Sequence, residues 1–137
     1  MKTTDLPRPA PSIIPDTAPF WTAAAEGRLL LPRCKACESV VWYPRPHCPK
    51  CFSQEVEWEQ MSGNGTIYTF TVTRRGVEDY KSCTPYILAY VQLDEGPRVM
   101  TNVVDCDVES VRVGDRVTAV FHNTGEEAAL LRFRPVD

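Results

Sequence analysis

Apolar and polar positions along the chain fall into three textures. Residues 1–15, MKTTDLPRPAPSIIP, show no period and carry Pro7, Pro9, Pro11 and Pro15. Proline fixes φ and removes a donor, so this stretch reads as an extended arm with Ile13 and Ile14 as its apolar anchors. It is either an unfixed tail or a segment that lies along a partner. A short helix follows. Asp16-Thr17 offers a cap, Pro19 suits a first turn, and Gly27 is a natural stop after Phe20-Trp21-Thr22-Ala23-Ala24-Ala25-Glu26. A helix of about ten residues does not hold alone. Phe20, Trp21 and Ala24 must therefore pack on the chain's own next segment or on another subunit.

The second texture is two short apolar runs. Leu29-Leu30-Leu31 leads into Cys34, and Val40-Val41-Trp42-Tyr43 leads away from Cys37 until Pro44 and Pro46 end it. These runs are expected to pair as a hairpin. From Trp58 the texture becomes short strands at regular spacing. After Gly63-Asn64-Gly65, Tyr68, Phe70 and Val72 alternate with Thr69, Thr71 and Thr73, which predicts aromatics on one side and threonines on the other. Residues 74–84 read as a polar loop. Tyr86 to Leu93 is apolar on both faces and reads as a central strand, then Asp94-Glu95-Gly96-Pro97 turns the chain. Val99, Thr101 and Val103 form the next strand, Val108 to Val113 a connector with a helical turn. Val117, Ala119 and Phe121, then Leu131 and Phe133, mark the last two. Five or six antiparallel strands in about eighty residues predict a small closed barrel, which leaves no exposed edge. An OB-fold is the expected form, with a sandwich of SH3 size as its competitor. The fold class is mainly β.

Four cysteines add the first chemistry. Cys34-Lys-Ala-Cys37 and Cys48-Pro-Lys-Cys51 can close four thiolates around one tetrahedral ion, with metal–sulfur distances of about 2.3 Å. Soft thiolates select zinc or iron over hard cations. Disulfides or a redox pair are the alternative for such spacing. Four sulfur ligands leave no open position for water, so the expected role is structural Zn2+. A unit this small cannot bury enough apolar surface to fold unaided, and metal binding would supply the difference. The expected division is an arm and docking helix at 1–27, a zinc ribbon at 28–57 and the barrel at 58–137.

Charge and composition narrow the function classes. With 18 acidic against 15 basic residues the net charge is −3, and the pI is near 5.4, which argues against a protein devoted to polyanions. No apolar run approaches the roughly 20 residues of a membrane helix, and the N-terminus lacks a signal-like apolar stretch. Paired C-x-x-C spacing without such a signal points to a reducing cytoplasm. Basic residues do gather near the ribbon: Arg28, Arg33, Lys35, Arg45 and Lys50, beside Trp42 and Tyr43, with Arg74 and Arg75 in the barrel loop. They form either a solvated surface or a seat for phosphates, from nucleic acid or from a coenzyme A thioester.

No catalytic constellation is legible. His47 abuts Cys48, and His122 sits in a surface-turn setting before Asn123. Cys106 lies between Asp105 and Asp107, whose carboxylates disfavour a thiolate. Cys83, two residues after Lys81, is the better nucleophile candidate, and its ordinary reading is a loop thiol.

Taken together, PFWTAAAEGRLLLPRCKAC, PHCPKC, GNGTIYTFTV, TPYILAYVQLDEG, VGDRVTAVF and LLRFRP make the chain resemble the DUF35 proteins from about Pro15 to Pro135. That resemblance implies a rubredoxin-like zinc ribbon followed by an OB-fold, with Cys34, Cys37, Cys48 and Cys51 as metal ligands. It implies a non-catalytic accessory subunit docked to a thiolase-fold enzyme (thiolase, acyltransferase or aldolase) or a hot-dog-fold hydratase. Direct acyl-CoA contact stays open. The partner-facing candidates are Phe20, Trp21, Arg28, Arg33, Trp42, Arg45, Arg74 and Arg75. A nucleic-acid-binding module is the alternative, because zinc ribbons and OB-folds both serve that role.

Overall fold

Helix α1 spans Ala18–Ala25, in a computed structural model that describes residues 5–125 and 127–136. Thr17 stands at its N-cap, although its hydroxyl makes no cap bond and instead donates back to Ile14 O. The other end closes as the sequence predicts. Gly27 takes φ +80°, Gly27 N–H donates to Ala24 O and Arg28 N–H to Ala23 O. This pair of bonds satisfies carbonyls the helix would leave open, and needs a residue at ease with positive φ.

Strand β1 (Leu30–Cys34) pairs antiparallel with β2 (Val56–Gln60), from Leu30↔Gln60 to Cys34↔Val56. This departs from the hairpin expected with residues 40–43, which supply a single bridge, Arg33↔Val40. The return limb leaves after Val41, whose N–H donates to Pro32 O. Pro44 and Pro46 beyond it lack the N–H that a ladder requires. The ribbon sheet thus reaches Gln60, past the expected divide between residues 57 and 58.

Five strands close the barrel: β3 (Asn64–Thr73), β4 (Tyr86–Leu93), β5 (Arg98–Val103), β6 (Arg116–Asn123) and β7 (Ala129–Pro135). Their order is β3-β4-β5-β7-β6, with β6 returning to β3. All neighbours are antiparallel except β5 and β7, which meet in parallel at Val103↔Phe133. This is the five-stranded Greek-key order of an OB-fold. Gly65 sits at the seam, opposite both Leu93 and Val117. A Cβ there would lie 2.7 Å from Gln92 O and from Val91 Cγ1.

Inside, β4 contributes Ile87, Ala89, Val91 and Leu93, all buried, while Leu88 and Tyr90 face out. The alternation predicted for β3 fails at one point. A bulge between Ile67 and Thr69 inserts Tyr68 as an extra residue. Gly65 and Ile67 point inward before it, Phe70 and Val72 are half-buried after it, and Tyr68 turns outward at 48% exposure. Arg98 lies over its ring, 3.8 Å from the centroid. Residues 74–84, read as a loop, contain a 3-10 helix at Glu78–Cys83. The connector around Val108 forms turns without a helical turn.

One apolar core serves every part. Phe20, Trp21, Leu29 and Leu31 belong to the same buried cluster as Met61, Ile67, Ile87, Leu93, Val117 and Phe133. Helix, ribbon and barrel therefore share a core rather than owning three. The arm also packs on its own chain: Leu6 is buried at 3% exposure, whereas the anchors expected from sequence, Ile13 and Ile14, are exposed. Residues 1–4 of the arm lie outside the described residues.

Candidate metal centre and docking face

The two C-x-x-C turns repeat one geometry, although no internal repeat is obvious in the sequence. Cys34 N–H donates to Ser39 O (2.8 Å) and Cys48 N–H to Ser53 O (2.9 Å). Glu38 N–H donates to Cys34 O and Phe52 N–H to Cys48 O, each at 2.8 Å. Both turns put the residue after the second cysteine at positive φ, 66° for Glu38 and 63° for Phe52. The shared signature C-x-x-C-x-S was present in the chain as the signal.

These turns bring Cys34, Cys37, Cys48 and Cys51 together, with all four Sγ atoms within 4.8 Å of one another. Cys34–Cys51 and Cys37–Cys48 are 3.5 and 3.6 Å apart. A tetrahedron of sulfurs around zinc at about 2.3 Å has edges of roughly 3.8 Å, so the donor set fits. Cys34 and Cys48 are buried, Cys37 and Cys51 exposed. Hydrogen bonds from the Ser39 side chain and backbone push the Cys37 thiol down to about 6. Cys51 accepts from the Ser53 backbone, which lowers it, but hydrogen bonding with Cys34, burial and the other two sulfurs together push it up to about 12. His47 is exposed and stands outside the four-sulfur group.

The residues proposed from sequence as a partner or ligand surface fare differently. Phe20 and Trp21 are buried, and Phe20 packs edge-on against Trp21 (4.8 Å), Trp42 (5.6 Å) and Tyr43 (6.0 Å). This aromatic cluster joins α1 to the ribbon, so presentation of the pair to another subunit is corrected to internal packing. Trp42 is half-buried in the same cluster. The cations are largely matched by carboxylates. Arg28 pairs with Glu26 (2.6 Å), Lys35 with Glu57 (3.0 Å) and Arg74 with Glu109 (2.7 Å), while Arg33 pairs with Glu59 and donates to Glu38 O. Arg45 donates to Tyr43 O, and Arg75 is exposed. The site does not gather into a basic groove. Between ribbon and barrel, a cleft of about 340 Å³ is lined in part by Trp42, Cys48, Lys50, Glu95 and Arg98.

Sequence reading missed two features. The outer face of β3-β4-β5 exposes Tyr68, Leu88 (39%), Tyr90 (43%) and Met100 (58%). Tyr90 lies opposite Thr69 and Met100, Leu88 opposite Thr71, around a shallow depression of about 210 Å³. The signal was the double apolar alternation of β4, read as burial on both sides. The second is Arg132, buried at 3% exposure on β7, with Nη1 2.9 Å from His122 Nδ1 and Nη2 donating to Pro7 O. His122 is accordingly half-buried, not a surface-turn residue. Cys83 is half-buried too, its Sγ 3.9 Å from Asp5 O and 3.8 Å from Asp79 O.

Comparison with known proteins matches both halves. Residues 21–57 fit the family model described as the ChsH2 rubredoxin-like zinc ribbon domain. Residues 58–122 fit that of the ChsH2 C-terminal OB-fold domain. A DUF35 domain-containing scaffold protein of Methanocaldococcus jannaschii is 38% identical over 97 residues, 69% of this chain and 68% of that protein. A probable enoyl-CoA hydratase alpha subunit of Thermomonospora curvata is 33% identical over 128 residues, which is 93% of this chain but 40% of that protein. Among solved structures, a chain of the Ltp2-ChsH2(DUF35) aldolase superposes with a TM-score of 0.79 at 32% identity, covering 92% of this chain and 98% of that one. The ribbon is a structural zinc module by both its family match and its four clustered cysteines.

Proposed function

The chain belongs to the DUF35 family, and from that premise we propose that it is a non-catalytic accessory subunit of an acyl-CoA-processing complex. Its partner is a thiolase-fold enzyme or a hydratase, which carries the catalytic residues. The observation that carries this reading is the nearly full-length likeness to a chain of the aldolase assembly. We assign Cys34, Cys37, Cys48 and Cys51 as the zinc ligands. All four positions of the ion are then filled by sulfur, so the metal holds the ribbon in shape and activates no water.

The docking surface we assign is the outer face of β3-β4-β5. Tyr68, Leu88, Tyr90 and Met100 form an exposed apolar patch on a sheet held rigid by its pairing, with hydroxyls from Thr69 and Thr71 around it. Patches of this kind mark protein contacts, and Tyr and Met are enriched in them. Among the described residues no helix is long and apolar enough to cross a membrane, and we place the complex in the cytoplasm. The nucleic-acid alternative loses its footing because Arg28, Arg33, Lys35 and Arg74 are each opposed by a carboxylate.

The test is co-purification with a thiolase-type or hydratase-type enzyme of the same organism. Expected results are co-elution, no acyl-CoA turnover by the isolated chain, and loss of co-elution in Met100→Glu with zinc content and circular dichroism unchanged. Turnover by the chain alone, or failure to bind enzymes of either class, overturns the reading. Titrating a CoA thioester against the isolated chain and the complex separates direct contact from contact completed by the partner.

A further inference from the structure

Arg132 is the only buried charged side chain among the described residues. The atoms against it are neutral. Nη1 meets His122 Nδ1 at 2.9 Å and Nη2 donates to Pro7 O at 2.6 Å. A guanidinium only donates. His122 Nδ1 must therefore be the acceptor, with the imidazole neutral and its proton on Nε2. One guanidinium thus spans a histidine of β6 and a carbonyl of the N-terminal arm.

We propose that His122, Arg132 and the Pro7 carbonyl form an acid-sensitive latch that holds the N-terminal arm on the barrel. Protonating His122 removes the acceptor and sets two cations 2.9 Å apart. Relief requires the guanidinium to swing away, and its second arm then lets go of Pro7. Leu6 leaves its buried seat, and the Asp5 carbonyl leaves Cys83.

The charged and titratable groups around the latch come from every element packed on it: Arg132 from β7, Asp5 and Arg8 from the arm, Asp105 from the loop after β5, and Tyr80 from the 3-10 helix. Burial, then Arg132 and Arg8, hold the imidazole below its ordinary value, against a smaller upward pull from Asp105 and Asp5. The sign follows from linkage. His122 in the unfolded chain protonates near pH ~6.5, before it does in the folded protein. The latch is intact above that value and is lost as pH falls through the lower, folded value. This device does not depend on the docking reading.

Nuclear magnetic resonance on the zinc-loaded full chain tests it. Imidazole ¹⁵N shifts give the His122 tautomer and its titration, and backbone relaxation gives the order of residues 6–8. Expected are an Nε2–H tautomer at pH 7.5 and order parameters that drop from about 0.85 to below about 0.6 once His122 is protonated. In His122→Asn, whose amide oxygen accepts without titrating, the arm stays ordered over the same range. An Nδ1–H tautomer at pH 7.5, an arm still ordered with His122 protonated, or equal loosening in His122→Asn would each overturn the proposal.

Discussion

Glu38 and Phe52 occupy the same backbone position in the two metal turns, at φ 66° and 63°, yet share nothing as side chains. The geometry after a C-x-x-C pair is set by the sulfurs and the backbone bonds to Cys34 and Cys48. Phe52 is 76% exposed, so its ring contributes little to the core.

Left-handed backbone costs a non-glycine residue roughly 1–2 kcal/mol, and asparagine much less. Phe52→Asn should therefore stabilise the zinc-loaded protein by about 0.5–1 kcal/mol. Urea denaturation at fixed zinc concentration measures it, and unchanged or lower stability would show that the ring packs in solution.

Phe20 joins α1 to Trp42 and Tyr43, and it is 2% exposed. Phe20→Ala leaves a cavity at the meeting point of helix and ribbon, with an expected loss of about 3–5 kcal/mol. Trp42→Leu, at a half-buried position, should cost less. Chemical denaturation of the two variants ranks them.

Removing the zinc should act on the whole chain. Structural zinc in small modules binds with about 10–16 kcal/mol of apparent free energy. Because ribbon and barrel share one core, a chelator is expected to shift a single unfolding transition downward. Cys37→Ser should do the same while lowering bound zinc. Two separate calorimetric transitions would mean that the barrel stands without the ribbon.

Asp94 and Arg116 form a two-pronged pair, at 2.7 and 2.8 Å, that ties the end of β4 to β6. Hydrogen bonding from Arg116 holds the Asp94 carboxyl below its usual range. A depressed carboxyl stabilises the fold at pH above the unfolded value and stops doing so as pH falls through the folded value. Both side chains are about half exposed, so screening keeps the effect small. Asp94→Asn should lower Tm by no more than about 3 °C at pH 7 and flatten the acid side of the stability profile, as calorimetry across pH 2–7 would record.

Local signals carried the legible part. The cysteine spacing, the Gly27 stop and the inward Val99, Thr101 and Val103 of β5 each arise within a few residues, and the structure keeps them. What failed was non-local. Residues 56–60 and 40–43 both look competent to pair with β1, and only the prolines' missing donors at 44 and 46 separate them. Tyr68 left the inner face through a one-residue bulge, which composition does not announce. The cation cluster left a solvated surface and a phosphate seat both open until Glu57 and Glu59 of β2 came to pair with Lys35 and Arg33. Burial of Arg132 depends on an arm more than 120 positions away in the chain.

Only Met61, Ser62 and Gly63 lie between the ribbon sheet and the first barrel strand. Met61 is buried, and its N–H donates to Leu29 O. A connector that short, pinned at its first residue, gives the ribbon no lever arm on which to swing. The protein behaves as a gauge block: the span from the Phe52 knuckle to the Tyr90–Met100 face is built in, and a surface that touches both must be cut to that length.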